Sequence, residues 1–268
     1  LVLELKTRQV PFRVFTRDPA KARTLLGPVE TVTGDFDRPE SIAKALAGVD
    51  AAFLLSAVSP DIVARETVFA RAAKTAGVKR LVKLSALGAD PRSPAALLRW
   101  HGEAEAEVRR TGVPYSILRP AAFYQNLLGS ADSIRRGTLV APMGDARVAL
   151  VDARDVAAAA AMLLCGPARD GETFTLTGPA ALTYAEVAAT LTRVLGRPVA
   201  YAAAAPDDAR RAMSAAGLPA WMTDAFLGLA ERFRAGDADL VTDGVSALTG
   251  HPPLTLETFV RDHLPSLS

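Results

Sequence analysis

The chain switches repeatedly between two hydrophobic periods, and that alternation limits the folds open to it. Short runs with strand character stand at 12–16 (Phe-Arg-Val-Phe-Thr), 29–33 (Val-Glu-Thr-Val-Thr), 50–55 (Asp-Ala-Ala-Phe-Leu-Leu), 80–85 (Arg-Leu-Val-Lys-Leu-Ser) and 114–118 (Pro-Tyr-Ser-Ile-Leu). Between them, residues 19–26, 39–47, 61–76 and 96–111 carry helical spacing. Gly48, Gly77 and Gly112 each stand where a helix ends, and each is followed by a valine. Glycine supplies the left-handed residue that closes a helix, and the β-branched residue opens the next strand. Strand, helix and strand in this rhythm imply right-handed βαβ units and a parallel sheet.

After residue 120 the rhythm loosens. The sequence predicts a helix over 124–136, strands at 138–141 and 147–151, and a helix over 153–164 capped by Asp152. Beyond them it predicts a strand at 174–177, a helix over 184–195 ending at Gly196, a helical stretch over 206–235 and a closing helix near 255–264. The expected organisation is one domain over 1–268, with a core over about 1–155 and a smaller interleaved lobe over about 156–268. The chain begins at Leu1 inside what reads as a helix preceding strand 12–16. The first strand of such a sheet, and the Gly-rich turn after it, are therefore expected to be absent, by truncation or by decay of the gene.

Composition narrows the class. The 31 basic and 29 acidic residues nearly balance, which argues against a nucleic-acid or membrane-surface partner. Cys165 is the only cysteine, so no internal disulfide can form, and a cytoplasmic location is the simple expectation. The apolar run Val156–Cys165 is about half of a bilayer span. With three histidines and one cysteine, no soft-ligand metal site is expected. No Gly-x-Ser-x-Gly turn and no Tyr-x-x-x-Lys pair occur.

Ligands of open α/β sheets bind at the carboxyl ends of strands, so the residues just past each strand are the candidates. Arg17 and Lys21 follow strand 12–16 at a helix start marked by Pro19. A carboxylate there would bond a plain adenosine ribose, whereas cations accept a 2′-phosphate. They could also be solvated surface charges, although a cation in the first helical turn opposes the helix dipole. Gly34-Asp35-Phe36-Asp37 follows the next strand; Asp35 is the candidate for contact with a base, and Asp37 is expected to cap the helix from 39. Ser56, Ala57 and Val58 are small residues that let a cofactor approach closely, or simply end a strand. Ser85 could bond a substrate carbonyl or cap its own loop. His101 and Glu105 are four apart and share a helical face, so they could move a proton, or form a structural pair. Phe123, Tyr124, Gln125 and Asn126 could wall a nicotinamide and hold its carboxamide, or form a turn with core aromatics. Val151 to Asp155 reads as a capped helix with a local ion pair.

Taken in order, Arg17-Asp-Pro-Ala-Lys21, Gly34-Asp35, Leu55-Ser56, Val82 to Ala89, Trp100 to Glu105, Leu118-Arg-Pro, Phe123 to Asn126 and Val151 to Asp155 resemble the NmrA-like family of atypical short-chain dehydrogenases. The resemblance runs along nearly the whole chain. It implies a Rossmann-like, doubly wound parallel sheet with a smaller interleaved carboxy-terminal substrate-binding lobe, acting as a monomer or homodimer on a small-molecule acceptor. It implies NADP(H) in preference to NAD(H). Arg17 and Lys21 would hold the 2′-phosphate, Asp35 and Phe36 the adenine, Ser56 to Val58 the nucleotide, and Phe123 to Asn126 the nicotinamide end. His101 stands where reductases of the wider family often carry a lysine that contacts the nicotinamide ribose. The expected activity is hydride transfer to a quinone-like or other conjugated acceptor. A non-catalytic NADP(H) sensor and a tailoring enzyme for aromatic natural products stay open as alternatives.

Overall fold

Local chemistry sets the ends of the first elements. Pro19 lacks the amide that a helix start would leave unpaired, and Asp18 before it accepts from the Lys21 amide at 2.9 Å. The computed structural model describes residues 1–268. Its first elements are α1 (Val2–Thr7), β1 (Arg13–Thr16), α2 (Pro19–Leu26), β2 (Glu30–Thr33), α3 (Pro39–Leu46), β3 (Ala51–Leu54), α4 (Ile62–Thr75), β4 (Arg80–Leu84), α5 (Ala96–Thr111) and β5 (Tyr115–Pro120). A 3₁₀ turn over Tyr124–Ser130 leads to α6 (Ala131–Arg135), β6 (Thr138–Ala141), β7 (Arg147–Val148), α7 (Ala153–Cys165), β8 (Thr173–Leu176), β9 (Leu182–Thr183) and α8 (Tyr184–Leu195). The chain ends with β10 (Ala200–Ala203), α9 (Pro206–Ala215), α10 (Ala220–Arg234), α11 (Gly244–Thr249), α12 (Leu256–Asp262) and α13 (Leu264–Leu267).

The residues form two compact units that interleave along the chain. One comprises Leu1–Ser85, Trp100–Leu118 and Ala157–Phe174; the other comprises Ala86–Arg99, Arg119–Val156 and Thr175–Ser268. The boundary expected near residue 155 differs from this division, because 86–99 and 119–156 group with the later half and 157–174 with the earlier one.

In the first unit β1 and β2 form a parallel pair, Val14 opposite Thr31. Strands β3, β4, β5 and β8 lie in that order in a second sheet, with β3–β4 and β4–β5 parallel. A parallel strand is covered on both faces, which is why Leu81 and Val82 are both fully buried although they are adjacent. Ile42, Leu46, Leu54, Phe69, Ala70, Leu81 and Val108 make one hydrophobic cluster, with Phe15 and Phe36 packed against it. Each fully buried Ile, Leu, Val or Phe among them contributes about 1.5–3 kcal/mol by leaving water.

The second unit has its own core, built on Tyr124, Ile134, Leu139, Val187, Leu191, Phe233 and Phe259. Strand β6 pairs with β10 in parallel, and β7 with β9 antiparallel. Helix α8 starts with a reciprocal cap, in which Thr183 accepts from the Glu186 amide and the Glu186 carboxylate accepts from the Thr183 amide. It ends at Gly196, whose φ is 67°.

The expected helix over 206–235 is two helices. Leu218 and Pro219 follow Gly217, which adopts φ 82°, and Pro219 caps α10. The expected strand 147–151 is a strand over Arg147–Val148, with Val151 in an isolated bridge, and helix 124–136 begins as a 3₁₀ turn.

A candidate nucleotide cleft and the buried charges beneath it

Four strands of the first unit, in two parallel pairs, end in candidate residues. Past β1 comes Arg17, past β2 Gly34 and Asp35, past β3 Ser56 and Ala57, past β4 Ser85. Phe15–Arg17, Gly34–Phe36, Ser56, Ala57 and Arg65 line a cleft of ≈ 240 Å³. The fold thus brings Arg17, Asp35, Phe36, Ser56 and Ala57 together. Lys21 is exposed on α2 and Val58 lies on the surface, and neither lines the cleft.

The turn after β2 shapes the cleft. A Cβ on Gly34 would lie 2.3 Å from Phe15 Cε2 and 2.6 Å from Ser41 Oγ, so only glycine fits. Ser41 Oγ accepts from the Asp35 amide at 3.0 Å and fixes the turn. Asp37 does not cap α3; it takes a bidentate bond from Arg65 of α4, at 2.7 and 2.8 Å. That guanidinium holds the Asp37 carboxyl below its ordinary range. Arg17 is bound far less tightly. Its nearest Asp35 oxygen is 4.0 Å away, and its side chain is 79% exposed.

Beneath the cleft lie two charges that the sequence reading missed, Glu66 and Lys83. Ser56 Oγ donates to Glu66 Oε1 at 2.9 Å, and Lys83 Nζ pairs with Glu66 Oε2. Glu66 is 1% exposed and Lys83 0%. One strand along, Ser85 Oγ donates to Glu105 Oε1 at 2.6 Å, while Arg109 bonds Oε2 at 3.0 Å. The signal for Lys83 was present: a lone charge among Leu81, Val82 and Leu84 in a buried strand needs a buried partner.

His101 sits 8% exposed in α5, and its Nδ1 has no hydrogen-bond partner. Burial, with the nearby Lys83 charge acting in the same direction and Glu105 against it, pushes its pKa down to about 3. The ring is neutral at physiological pH. The Glu105 oxygens bond Ser85 and Arg109, and the carboxylate acts on His101 through its field.

In the second unit Phe123 bridges to Val151. Tyr124 is a core residue, 1% exposed, its ring 5.6 Å from that of Phe259. Burial, together with Asp152 and Asp155, raises its phenol pKa. The Gln125 amide spans the start of α7: Nε2 donates to Asp152 Oδ1 at 2.9 Å and Oε1 accepts from the Ala153 amide at 3.0 Å. Asn126 is exposed. Asp152 also accepts from the Arg154 amide and side chain, the capped start and local ion pair that the sequence implies. No group of three or more His, Cys, Asp or Glu side chains is placed to hold a metal ion. No helix is long and apolar enough to cross a membrane.

The model of one family, NAD(P)H-binding, matches residues 1–166. The chain belongs to that family. An NAD(P)H azoreductase of Xenophilus azovorans is 38% identical over 264 residues, 97% of this chain and 91% of that protein. Quinone oxidoreductase 2 of Escherichia coli (strain K12) is 32% identical over 269 residues, 95% of this chain and 91% of that protein. The crystal structure of the NADPH-dependent quinone oxidoreductase of Escherichia coli complexed with NADPH matches with a TM-score of 0.87 at 30% identity, covering 98% of this chain and 94% of that one. The fold is the Rossmann-like α/β fold of these reductases.

The cleft suits the cofactor of the NAD(P)H-binding family. It offers an exposed guanidinium with its nearest Asp35 oxygen 4.0 Å away, an aromatic wall in Phe36 and a small-residue edge at Ser56 and Ala57. A phosphate can displace Asp35 from Arg17 at little cost, since an exposed pair at that distance contributes at most ~1 kcal/mol.

Proposed function

We propose that the protein is an NADPH-dependent reductase that delivers hydride to a quinone-like, azo or other conjugated acceptor. The observation that carries this reading is the exposed Arg17 guanidinium on the strand-end cleft. Its relatives support it: an NAD(P)H azoreductase and an NADPH-dependent quinone oxidoreductase align along nearly their whole length. Arg17 and Lys21 take the 2′-phosphate, which sets NADPH above NADH. Asp35 and Phe36 flank the adenine, and Ser56, Ala57 and Val58 follow the nucleotide. Ser85 of the first unit is a further cofactor-binding residue; in the second unit Phe123, Tyr124, Gln125 and Asn126 take the nicotinamide, the buried Tyr124 and the tethered Gln125 fixing the backbone that carries Phe123 and Asn126.

Bound NADPH supplies the hydride from its nicotinamide. The neutral His101 ring is a poor proton reservoir and serves as an orienting group. A quinone fits such a site, because it stabilises the added electron pair itself and takes its proton from water.

Fluorescence titration with NADPH and NADH tests the assignment. The wild type is expected to bind NADPH at least about tenfold more tightly, the worth of one charge-assisted hydrogen bond. Arg17→Ala with Lys21→Ala should remove that preference and leave NADH unchanged. Equal affinities in the wild type would overturn the preference. Tight NADPH binding without NADPH consumption, with a benzoquinone or an azo dye present, would overturn the reductase and leave a nucleotide sensor.

A further inference from the structure

Ser56 lines the cleft and yet sends its hydrogen inward, to Glu66 Oε1 at 2.9 Å. A hydroxyl has one hydrogen and two lone pairs, and a carboxylate can only accept. Lys83 Nζ occupies the other Glu66 oxygen, so the carboxylate has its counter-charge and the hydrogen between the two oxygens must come from Ser56. With its one hydrogen committed there, Ser56 can meet a ligand in the cleft through Oγ only as an acceptor.

We propose that Glu66, neutralised by Lys83, is a positioning residue that makes Ser56 a fixed hydrogen-bond acceptor, so that this part of the cleft recognises a donor group of the nucleotide, a sugar hydroxyl or a base amine, and turns phosphate oxygens away. The proposal rests on the NADPH reading above. Its second support is repetition: at the neighbouring strand end Ser85 donates in the same way to Glu105, which Arg109 neutralises. Two apolar side chains would fill the space of Glu66 and Lys83 without the desolvation that both ions suffer. The fixed hydroxyl is what the ion pair adds.

The test is a double-mutant cycle read by NADPH fluorescence, with thermal melts as the control for folding. Ser56→Ala leaves the ion pair intact and should raise the NADPH Kd about tenfold. Glu66→Leu with Lys83→Met removes both charges together and should also raise Kd. Combined with Ser56→Ala it should add nothing, because Glu66 acts only through the serine. Deamino-NADPH, which carries hypoxanthine, separates the two donors. If the base amine is the donor, the wild type binds this analogue more weakly and Ser56→Ala removes the difference; if a sugar hydroxyl is the donor, Ser56→Ala weakens both ligands equally. An unchanged Kd in Ser56→Ala overturns the proposal, and it does so even if the apolar pair variant fails to fold. Tighter binding by the apolar pair variant, or an additive effect in the cycle, overturns it as well. A wild type that binds no NADPH overturns the cofactor reading and this proposal with it, whereas normal wild-type binding with an unaffected Ser56→Ala overturns this proposal alone.

Discussion

A buried histidine beside a lysine cannot hold a proton at neutral pH, and for His101 this ties stability to acidity. Its folded pKa is about 3 against 6.5 when free, so between those values the unfolded chain binds the proton and the folded chain does not. Stability therefore rises with pH through this window, is fully present above about 6.5, and is lost as the pH falls toward 3. Thermal melts between pH 4 and 7.5 should show His101→Gln losing less stability on acidification than the wild type; parallel curves would show that the ring is not held neutral. The same shift predicts a pH–rate profile without a histidine inflection near 6.5. An inflection there that vanishes in His101→Gln would restore His101 as a general acid. The sequence placed His101 and Glu105 on one helical face, and they are within electrostatic reach of each other. It did not disclose that Ser85 bonds the carboxylate, since that bond depends on how β4 packs against α5, whereas the Arg109 pair is an i,i+4 contact within α5.

Among the elements, the turn from β2 into α3 is where one added methyl group should disturb the cleft directly. Gly34→Ala would bring a carbon into Phe15 and Ser41, on the wall of the cleft itself. Overpacking of this kind costs about 1–3 kcal/mol. Gly34→Ala should lower the melting temperature and raise the NADPH Kd together. Gly48→Ala is the control: nothing lies within 4 Å of its added Cβ, and φ of 70° makes the cost one of backbone strain alone. It should lower stability and leave NADPH affinity intact; a matching loss of affinity in both variants would mean that the β2–α3 turn does not shape the site. Elements with their own end signals were legible in the sequence. Helices 19–26, 96–111 and 184–195 lie where Pro19, Gly112 and Gly196 put them. Strand β10 was not legible, because Ala-Tyr-Ala-Ala has little strand propensity and becomes a strand by pairing with β6. The site divides in the same way. Arg17, Asp35, Phe36, Ser56 and Ala57 were legible because strand ends mark them. Glu66 and Arg65 were not, because in the sequence they are ordinary charges near the start of a helix.

Across the whole molecule, the path of the chain decides what can be removed. It passes from one compact unit to the other after Ser85, Arg99, Leu118, Val156 and Phe174, so no single cut separates the two. A cut after residue 155, where the sequence suggested that a core ends, would strip the first unit of Ala157–Phe174. Those residues are bonded into it. Arg80 Nη1 donates to the carbonyls of Leu164 and Gly166 at 2.9 and 2.8 Å, Ser116 Oγ to that of Arg169 at 2.7 Å, and the Ile117 amide to that of Glu172 at 2.9 Å. Without them the guanidinium of Arg80 loses both carbonyls, and β5 loses its partners on that side. Each such hydrogen bond contributes about 0.5–1.5 kcal/mol net, and the apolar surface that 157–174 covers would be exposed as well, against a total stability of only about 5–15 kcal/mol. The fragment 1–155 should therefore show no cooperative thermal transition by circular dichroism and should bind no NADPH, even though it contains every residue that lines the cleft. A fragment that melts cooperatively and binds NADPH with the affinity of the full chain would show that the cleft is a property of the amino-terminal strands alone. Loss of both would show that the nucleotide site depends on a segment far along the chain from its last lining residue, Arg65.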